Sequence, residues 1–203
     1  MFQRPNYLKQ LIQFKDSDFI KVITGVRRSG KSVLLMLYKE YLLQEGVKED
    51  HIIYMNFESF DYQTITTEEN FRQKLNALLP EDSNKIYLLF DEIQLVEGWQ
   101  RVINGIRVSY NSDISITGSN ANMISGELAT LLSGRYIEIP IYPLSFSEFL
   151  NVKGIESSSR KVDNAYDEFE KYGGFPSVVI AEESIKDTIL SGIFDTIVLN
   201  DVA

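Results

Sequence analysis

The residues with the most evident chemical use are Gly25-Val26-Arg27-Arg28-Ser29-Gly30-Lys31-Ser32, which fit the pattern G-x-x-x-x-G-K-[ST]. In such a loop successive backbone N–H groups turn inward and form an anion nest, and the following helix adds the positive end of its dipole. The stretch expected to hold phosphate runs from Gly25 through Val33. Gly25 and Gly30 permit backbone conformations and approaches that a side chain would block. Lys31 has the length to reach β- and γ-phosphates, and the Ser32 hydroxyl suits Mg²⁺. About sixty residues later the run Ile86-Tyr87-Leu88-Leu89-Phe90 ends in Asp91-Glu92. Asp91 can hold Mg²⁺ directly or through water, and Glu92 is suited to orient or deprotonate an attacking water. That glutamate favours hydrolysis over phosphoryl transfer to a small acceptor.

Four further residues have two readings each. Ser119 and Asn120 follow Asp113-Ile114-Ser115-Ile116-Thr117-Gly118. There a polar residue can sense the γ-phosphate or the attacking water, or cap the next helix, and one residue can do each job. Arg135 is expected at the mouth of the sheet. It can stabilise transition-state charge in its own subunit or a neighbour's, or satisfy a helix C-terminus. Glu58 follows an apolar run and either approaches the metal or caps a turn.

These groups need a scaffold that brings strand ends together. Phe19–Thr24 reads as a buried strand before the loop, and Val33–Leu43 as a helix after it. Further strands are predicted over 52–57, 86–90, 113–118 and 136–139, and helices over 6–15, 68–79, 121–132 and within 93–111, where Trp99 is a core anchor. Beyond Pro140 a helix starts near Phe149. Another passes through Ala165, Phe169 and Tyr172 to Gly173-Gly174-Phe175-Pro176, and one last helical segment runs from Val178 to Val198. The chain thus divides into a core with a short N-terminal helix over 1–140 and a helical lid segment over 141–203. The end at Asn200-Asp201-Val202-Ala203 carries no stop signal, so a longer protein is expected.

Composition limits the alternatives. The 203 residues are 44% hydrophobic and 24% charged, enough for a packed core. No cysteine is present, which removes disulfides and thiolate metal sites. The single His51 reads as a surface residue at a strand entry. A net charge of −9 gives no support to nucleic-acid binding by this segment. No signal-peptide core or spanning stretch stands out, and a cytoplasmic location is expected.

The chain resembles the prokaryotic AAA+-like ATPases, the archaeal-type P-loop family whose members usually carry a further C-terminal domain of unknown function. The resemblance rests on Gly25–Ser32, Leu89-Phe90-Asp91-Glu92-Ile93-Gln94, Thr117-Gly118-Ser119-Asn120, Leu132-Ser133-Gly134-Arg135, Pro143-Leu144-Ser145-Phe146-Ser147-Glu148-Phe149 and Tyr172-Gly173-Gly174-Phe175-Pro176. It implies an α/β P-loop NTPase fold of three layers, α/β/α. Its five-stranded parallel sheet would be of the additional-strand, catalytic-glutamate type, with the Walker B strand beside the Walker A strand and the start of a small helical lid. It implies ATP and Mg²⁺ as ligands, Ser119 or Asn120 as sensor, and Arg135 as a candidate arginine finger, in its own subunit or across a homo-oligomer. Related ATPases place a second sensor arginine near the Gly-Gly-Phe-Pro turn, but here Ser177 follows Pro176. The expected function is Mg-dependent ATP binding and hydrolysis, slow in the isolated chain. The alternatives are a nucleotide-gated partner-binding switch with little turnover and a small-molecule kinase.

Overall fold

The structure is a computed structural model that describes residues 4–118, 134–158 and 160–198. It divides into two compact units. One holds residues 5–24 and 31–140, and the other holds 1–4, 25–30 and 141–203.

The first is a sheet unit. In chain order it contains α1 (Pro5–Gln13), β1 (Ile20–Thr24), α2 (Lys31–Gln44), β2 (Ile52–Asn56), α3 (Glu68–Asn76), β3 (Ile86–Asp91), α4 (Trp99–Ser109), β4 (Ser112–Thr117) and β5 (Tyr136–Pro140). The strands pair in parallel in the order β2-β3-β4-β1-β5. The expected adjacency of the Walker A and Walker B strands is therefore corrected: β4 is inserted between β1 and β3, hydrogen-bonded to both. This is the additional strand, and it brings its own C-terminal residue, Thr117, between the other two strand ends.

Every residue of β1 and β3 is buried, as expected for a parallel sheet covered on both faces. Alternation along the strands assigns the faces. Val22, Leu88, Phe90, Ile114 and Ile116 pack with Phe71 and Leu75 of α3 and Trp99, Val102, Ile103 and Ile106 of α4. On the other face α2 packs against β3 and β4, and α1 packs on α2. Helix α2 buries Leu34, Leu35, Leu37, Tyr38 and Leu42, a broad apolar arc that fixes its first turn at the carboxyl end of the sheet.

That second face also carries polar residues. Lys21 and Asp113, both buried, form an ion pair at 2.5 Å. Asp113 also accepts from the Asp16 amide at 2.7 Å. Burial pulls the Lys21 ammonium pKa down, with Asp113 opposing it. His51 departs from its expected surface position. It is 4% exposed, with Nδ1 2.6 Å from Asp50 and Nε2 3.0 Å from Asp82. The two carboxylates supply the partners that its burial requires.

The second unit is helical beyond Pro140. It contains α5 (Phe146–Lys153), α6 (Val162–Tyr172), α7 (Pro176–Val179) and α8 (Glu183–Ile197). Helix α5 opens with a capping box between Ser145 and Glu148 and closes on Gly154 at φ 65°. The single last helix expected from Val178 to Val198 is instead two. Pro176 starts a short turn of helix, and Glu182 takes extended backbone before α8 begins. Val179 packs with Leu144, Phe149, Leu150 and Ala165, while Val178 packs with Tyr172 and Ile193. Val178 and Ile185 stand seven residues, or two helical turns, apart across the break, so the apolar pattern did not reveal it. The Gly-Gly-Phe-Pro turn has a packing role. The Leu144 amide donates to the Gly174 carbonyl at 2.7 Å, and a Cβ on Gly174 would stand 2.0 Å from the Leu144 oxygen. Among the described residues no helix is long and apolar enough to cross a membrane.

Candidate functional site

In an open parallel sheet the ligand crevice lies outside the carboxyl ends of the strands. Here those ends carry Asn56 on β2, Asp91 on β3, Thr117 on β4 and Thr24 on β1. Asp91 is fully buried, and three side chains donate to its carboxylate. Thr117 Oγ1 reaches Oδ1 at 2.5 Å, while Tyr54 Oη and Asn56 Nδ2 each reach Oδ2 at 3.1 Å. Burial, with the Asp91 charge adding to it, pushes the Tyr54 phenol pKa up. Tyr54 therefore stays protonated and can donate.

Glu92 leaves the strand in the left-handed region, at φ 53° and ψ 45°. That conformation costs a non-glycine residue about 1–2 kcal/mol, and strain of this kind collects at functional sites. The Glu92 amide donates to Thr117 Oγ1 at 3.0 Å, so one hydroxyl fixes both members of the acid pair. The Glu92 side chain accepts from Gln94 Nε2 at 2.5 Å, and its Oε1 lies 3.7 Å from Lys31 Nζ. Lys31 is 4% exposed and is the first residue of α2. Ser32 and Val33 follow it in the first helical turn.

The preceding loop, 25–30, belongs to the other unit. Gly25 has φ 141°, Arg28 φ 65° and Gly30 φ 104°, an alternation that turns successive amides toward one side. A Cβ on Gly25 would stand 2.1 Å from the Ile141 carbonyl oxygen, so only glycine fits. The Ser29 amide donates to the Val26 carbonyl at 3.3 Å.

The structure thus brings Lys31, Asp91 and Glu92 together, with the Gly25–Gly30 loop leading directly into Lys31. Ser119 and Asn120 lie outside the described residues. Arg135 is not at the expected mouth of the sheet. Its carbonyl accepts from Ile20 at the start of β1, and its guanidinium lies 3.8 Å from Asp18. In a parallel sheet that is the end opposite Thr24 and Asp91, about 15 Å away over five residues of strand. This corrects the reading in which Arg135 completes the site of its own chain. Glu58 is exposed on the turn after β2, where its amide donates to Asn56 Oδ1 at 2.9 Å. At that strand tip it is Asn56 that touches Asp91.

Sequence reading missed Thr117, Tyr54, Asn56 and Gln94. Alternation offered a signal for Thr117, because Asp113, Ser115 and Thr117 share one face of β4. For Tyr54 and Asn56 the alternating face of β2 offered the same signal.

The residues present suit a hard cation that retains water. Asp91 has about four lone-pair positions, and three are in use. Among the described residues no group of three or more His, Cys, Asp or Glu side chains could cage a metal. One open carboxylate position, rather than a cage of carboxylates, is what an ion such as Mg²⁺ needs when it keeps several waters and takes phosphate oxygens as ligands.

Residues 17–150 match the model of a family described as AAA domain. An uncharacterized protein of Haemophilus influenzae is 65% identical over 203 residues, covering all of this chain and 51% of its own length. An uncharacterized protein of Methanocaldococcus jannaschii is 39% identical over 194 residues, covering 90% of this chain and 42% of its own. The chain thus spans about half the length, or less, of the curated relatives it matches. Among solved structures, a Walker-type ATPase of Pyrococcus abyssi superposes with a TM-score of 0.62 at 14% identity, over 98% of this chain and 74% of that one. AMPPCP-bound DnaA from Aquifex aeolicus gives a TM-score of 0.55 at 14% identity, over 95% and 59%. At such identities these likenesses concern the fold alone.

Proposed function

The chain belongs to the AAA-domain family, and on that premise we propose that it binds and hydrolyses Mg-ATP as one module of a longer cytoplasmic protein. The observation that carries the proposal is the junction of Lys31 with the acid pair. Lys31 Nζ lies 3.7 Å from Glu92 Oε1, beside an Asp91 held by three donors. A glycine loop entering this lysine and an oriented Asp-Glu pair are the parts that phosphoryl transfer to water requires.

The amides from Gly25 to Ser32, with Val33 in the first turn of α2, bind the phosphates. Lys31 exchanges Glu92 for β- and γ-phosphate oxygens. Ser32 and Asp91 would hold Mg²⁺, which would supply charge neutralisation to the phosphates. Glu92, freed from Lys31 and still anchored through its backbone by Thr117, takes a proton from the water that attacks the γ-phosphorus. The bond to the β–γ bridging oxygen breaks, giving ADP and phosphate. Ser119 or Asn120 keeps the sensor role assigned from sequence. Arg135 acts on the site of a neighbouring copy, since about 15 Å separates it from its own strand ends.

Mg-ATP binding by wild type and Lys31→Ala tests this, with turnover followed over a wide protein concentration beside Arg135→Ala. The proposal expects saturable binding that Lys31→Ala abolishes. Turnover that rises with concentration and disappears in Arg135→Ala would support a shared site. Equal binding by wild type and Lys31→Ala would refute the assignment.

A further inference from the structure

Arg4 precedes α1, carries no local motif and is 4% exposed. Its guanidinium meets three partners within its own unit. Nε and Nη2 donate to Glu148 Oε1 and Oε2, each at 3.0 Å, in a bidentate pair. Nη1 donates to the Tyr142 carbonyl at 2.7 Å and to the Ser29 carbonyl at 3.2 Å. Ser29 belongs to the phosphate loop, and its carbonyl shares a peptide plane with the Gly30 amide. In a trans peptide C=O and N–H point in opposite directions. A Ser29 carbonyl held toward Arg4 therefore turns the Gly30 N–H the other way. No atom lies within 4 Å of where a Cβ on Gly30 would sit, so no neighbour crowds that side of Gly30. Gly30, at φ 104°, is the position where a peptide flip is least hindered.

Glu148 has a second duty. Its Oε2 accepts from the Ser145 amide at 2.9 Å and from the Ser145 hydroxyl at 3.2 Å, closing the capping box of α5. Burial raises its carboxyl pKa, but hydrogen bonds from Arg4 and Ser145 outweigh this and hold it below the usual range. It stays ionised at neutral pH. The strap from Ile141 to Leu144 is gripped at both ends by close backbone approaches, to Gly25 through Ile141 and to Gly174 through Leu144.

We propose that Arg4 is a positioning residue for nucleotide binding, clamped by Glu148 so that the Ser29–Gly30 peptide presents its amide to phosphate. The strap and the first turn of α5 thereby set the state of the loop. This rests on the phosphate-loop reading above. Lysine cannot replace Arg4, because an ammonium cannot make the bidentate pair and reach two carbonyls in one plane. Loss of the clamp weakens ground state and transition state alike, so it raises KM and leaves kcat.

The test uses the full chain with Arg4→Lys and Glu148→Gln, and with Arg72→Lys as a control for loss of a surface arginine. Two readouts are taken. The first is the Gly30 amide resonance and its relaxation dispersion without nucleotide. The second is the Mg-ATP dissociation constant beside kcat. The expected result is a shifted and exchange-broadened Gly30 amide in both clamp variants. Their dissociation constant should rise about tenfold, with kcat within about twofold of wild type. Arg72→Lys should change neither. An unchanged Gly30 resonance overturns the clamp, and so does an unchanged dissociation constant in a wild type that binds. If wild type and Lys31→Ala bind Mg-ATP equally poorly, the phosphate-loop reading fails and this role falls with it. The amide spectrum would still report whether Arg4 orients the peptide.

Discussion

Thr117→Val tests the claim that one hydroxyl fixes both acids. The substitution conserves shape and replaces the hydroxyl by a methyl in a fully buried position. Two hydrogen bonds are lost: the donation to Asp91 Oδ1 at 2.5 Å and the acceptance from the Glu92 amide at 3.0 Å. A hydrogen bond to a charged group contributes about 1.5–3 kcal/mol, and a buried amide left unpaired costs about 1–3 kcal/mol. Asp91 keeps Tyr54 and Asn56, which places the sum toward the lower end, at about 3 kcal/mol. With a urea m-value of about 2 kcal/mol/M the unfolding midpoint falls by roughly 1.5 M. Thr117→Ser keeps the hydroxyl and should lie within about 1 kcal/mol of wild type. Turnover should fall by more than about tenfold in the valine variant, because Glu92 loses the bond that holds its left-handed backbone. A valine variant within about 0.5 kcal/mol of the serine variant would refute the reasoning.

Other perturbations probe the scaffold. Gly25→Ala places a Cβ 2.1 Å from the Ile141 oxygen, whereas Gly46, at φ 85°, has open space around it. Thermal or urea unfolding should show Gly46→Ala losing about 1 kcal/mol and Gly25→Ala more than about 3 kcal/mol; equal losses would contradict the close approach. His51 has its pKa raised by hydrogen bonds to Asp82 and then Asp50, and Asp82 is held at about 2. Because the folded His51 pKa lies above its unfolded value, its stabilisation is complete below about pH 6.5 and fades as pH rises through the folded value. Urea midpoints from pH 6 to 9 should therefore decline, and His51→Gln should flatten that slope. Asp113→Ala leaves Lys21 buried and uncompensated, for a loss of about 3–5 kcal/mol. Adding Lys21→Met should recover part of that loss, and a double variant no better than the single would show that charge is not the cause.

The loop, the acid pair and the strands could be read from sequence because each is local. Ile86–Phe90 is an unbroken apolar run and Phe19–Thr24 an apolar, β-branched one interrupted only by Lys21, as buried parallel strands can be. Strand order is not local, and nothing within β4 says that it inserts between β1 and β3. Thr117 was legible as one polar residue among the alternating positions of β4, but its partners, Asp91 and Glu92, lie at the end of β3, 26 and 25 positions earlier. Arg135 was misplaced because a residue at a strand entry looks, in sequence, like one at a strand exit. Parallel pairing with Ile20 decides which end it occupies. Arg4 and Glu148 stand 144 positions apart, and no spacing rule connects them. The break between α7 and α8 escaped because helical periodicity continues through it.

Single-turnover hydrolysis of Mg-ATP by wild type and Glu92→Gln, with nucleotide occupancy measured in the same samples, bears most directly on the proposed ATPase. Glutamine keeps the size of the side chain and an acceptor for Gln94 but cannot take a proton at neutral pH. The account predicts full occupancy in both proteins and phosphate release at least about a hundredfold slower in the variant, within the range that a positioned base contributes. Equal rates of phosphate release at equal occupancy would contradict it.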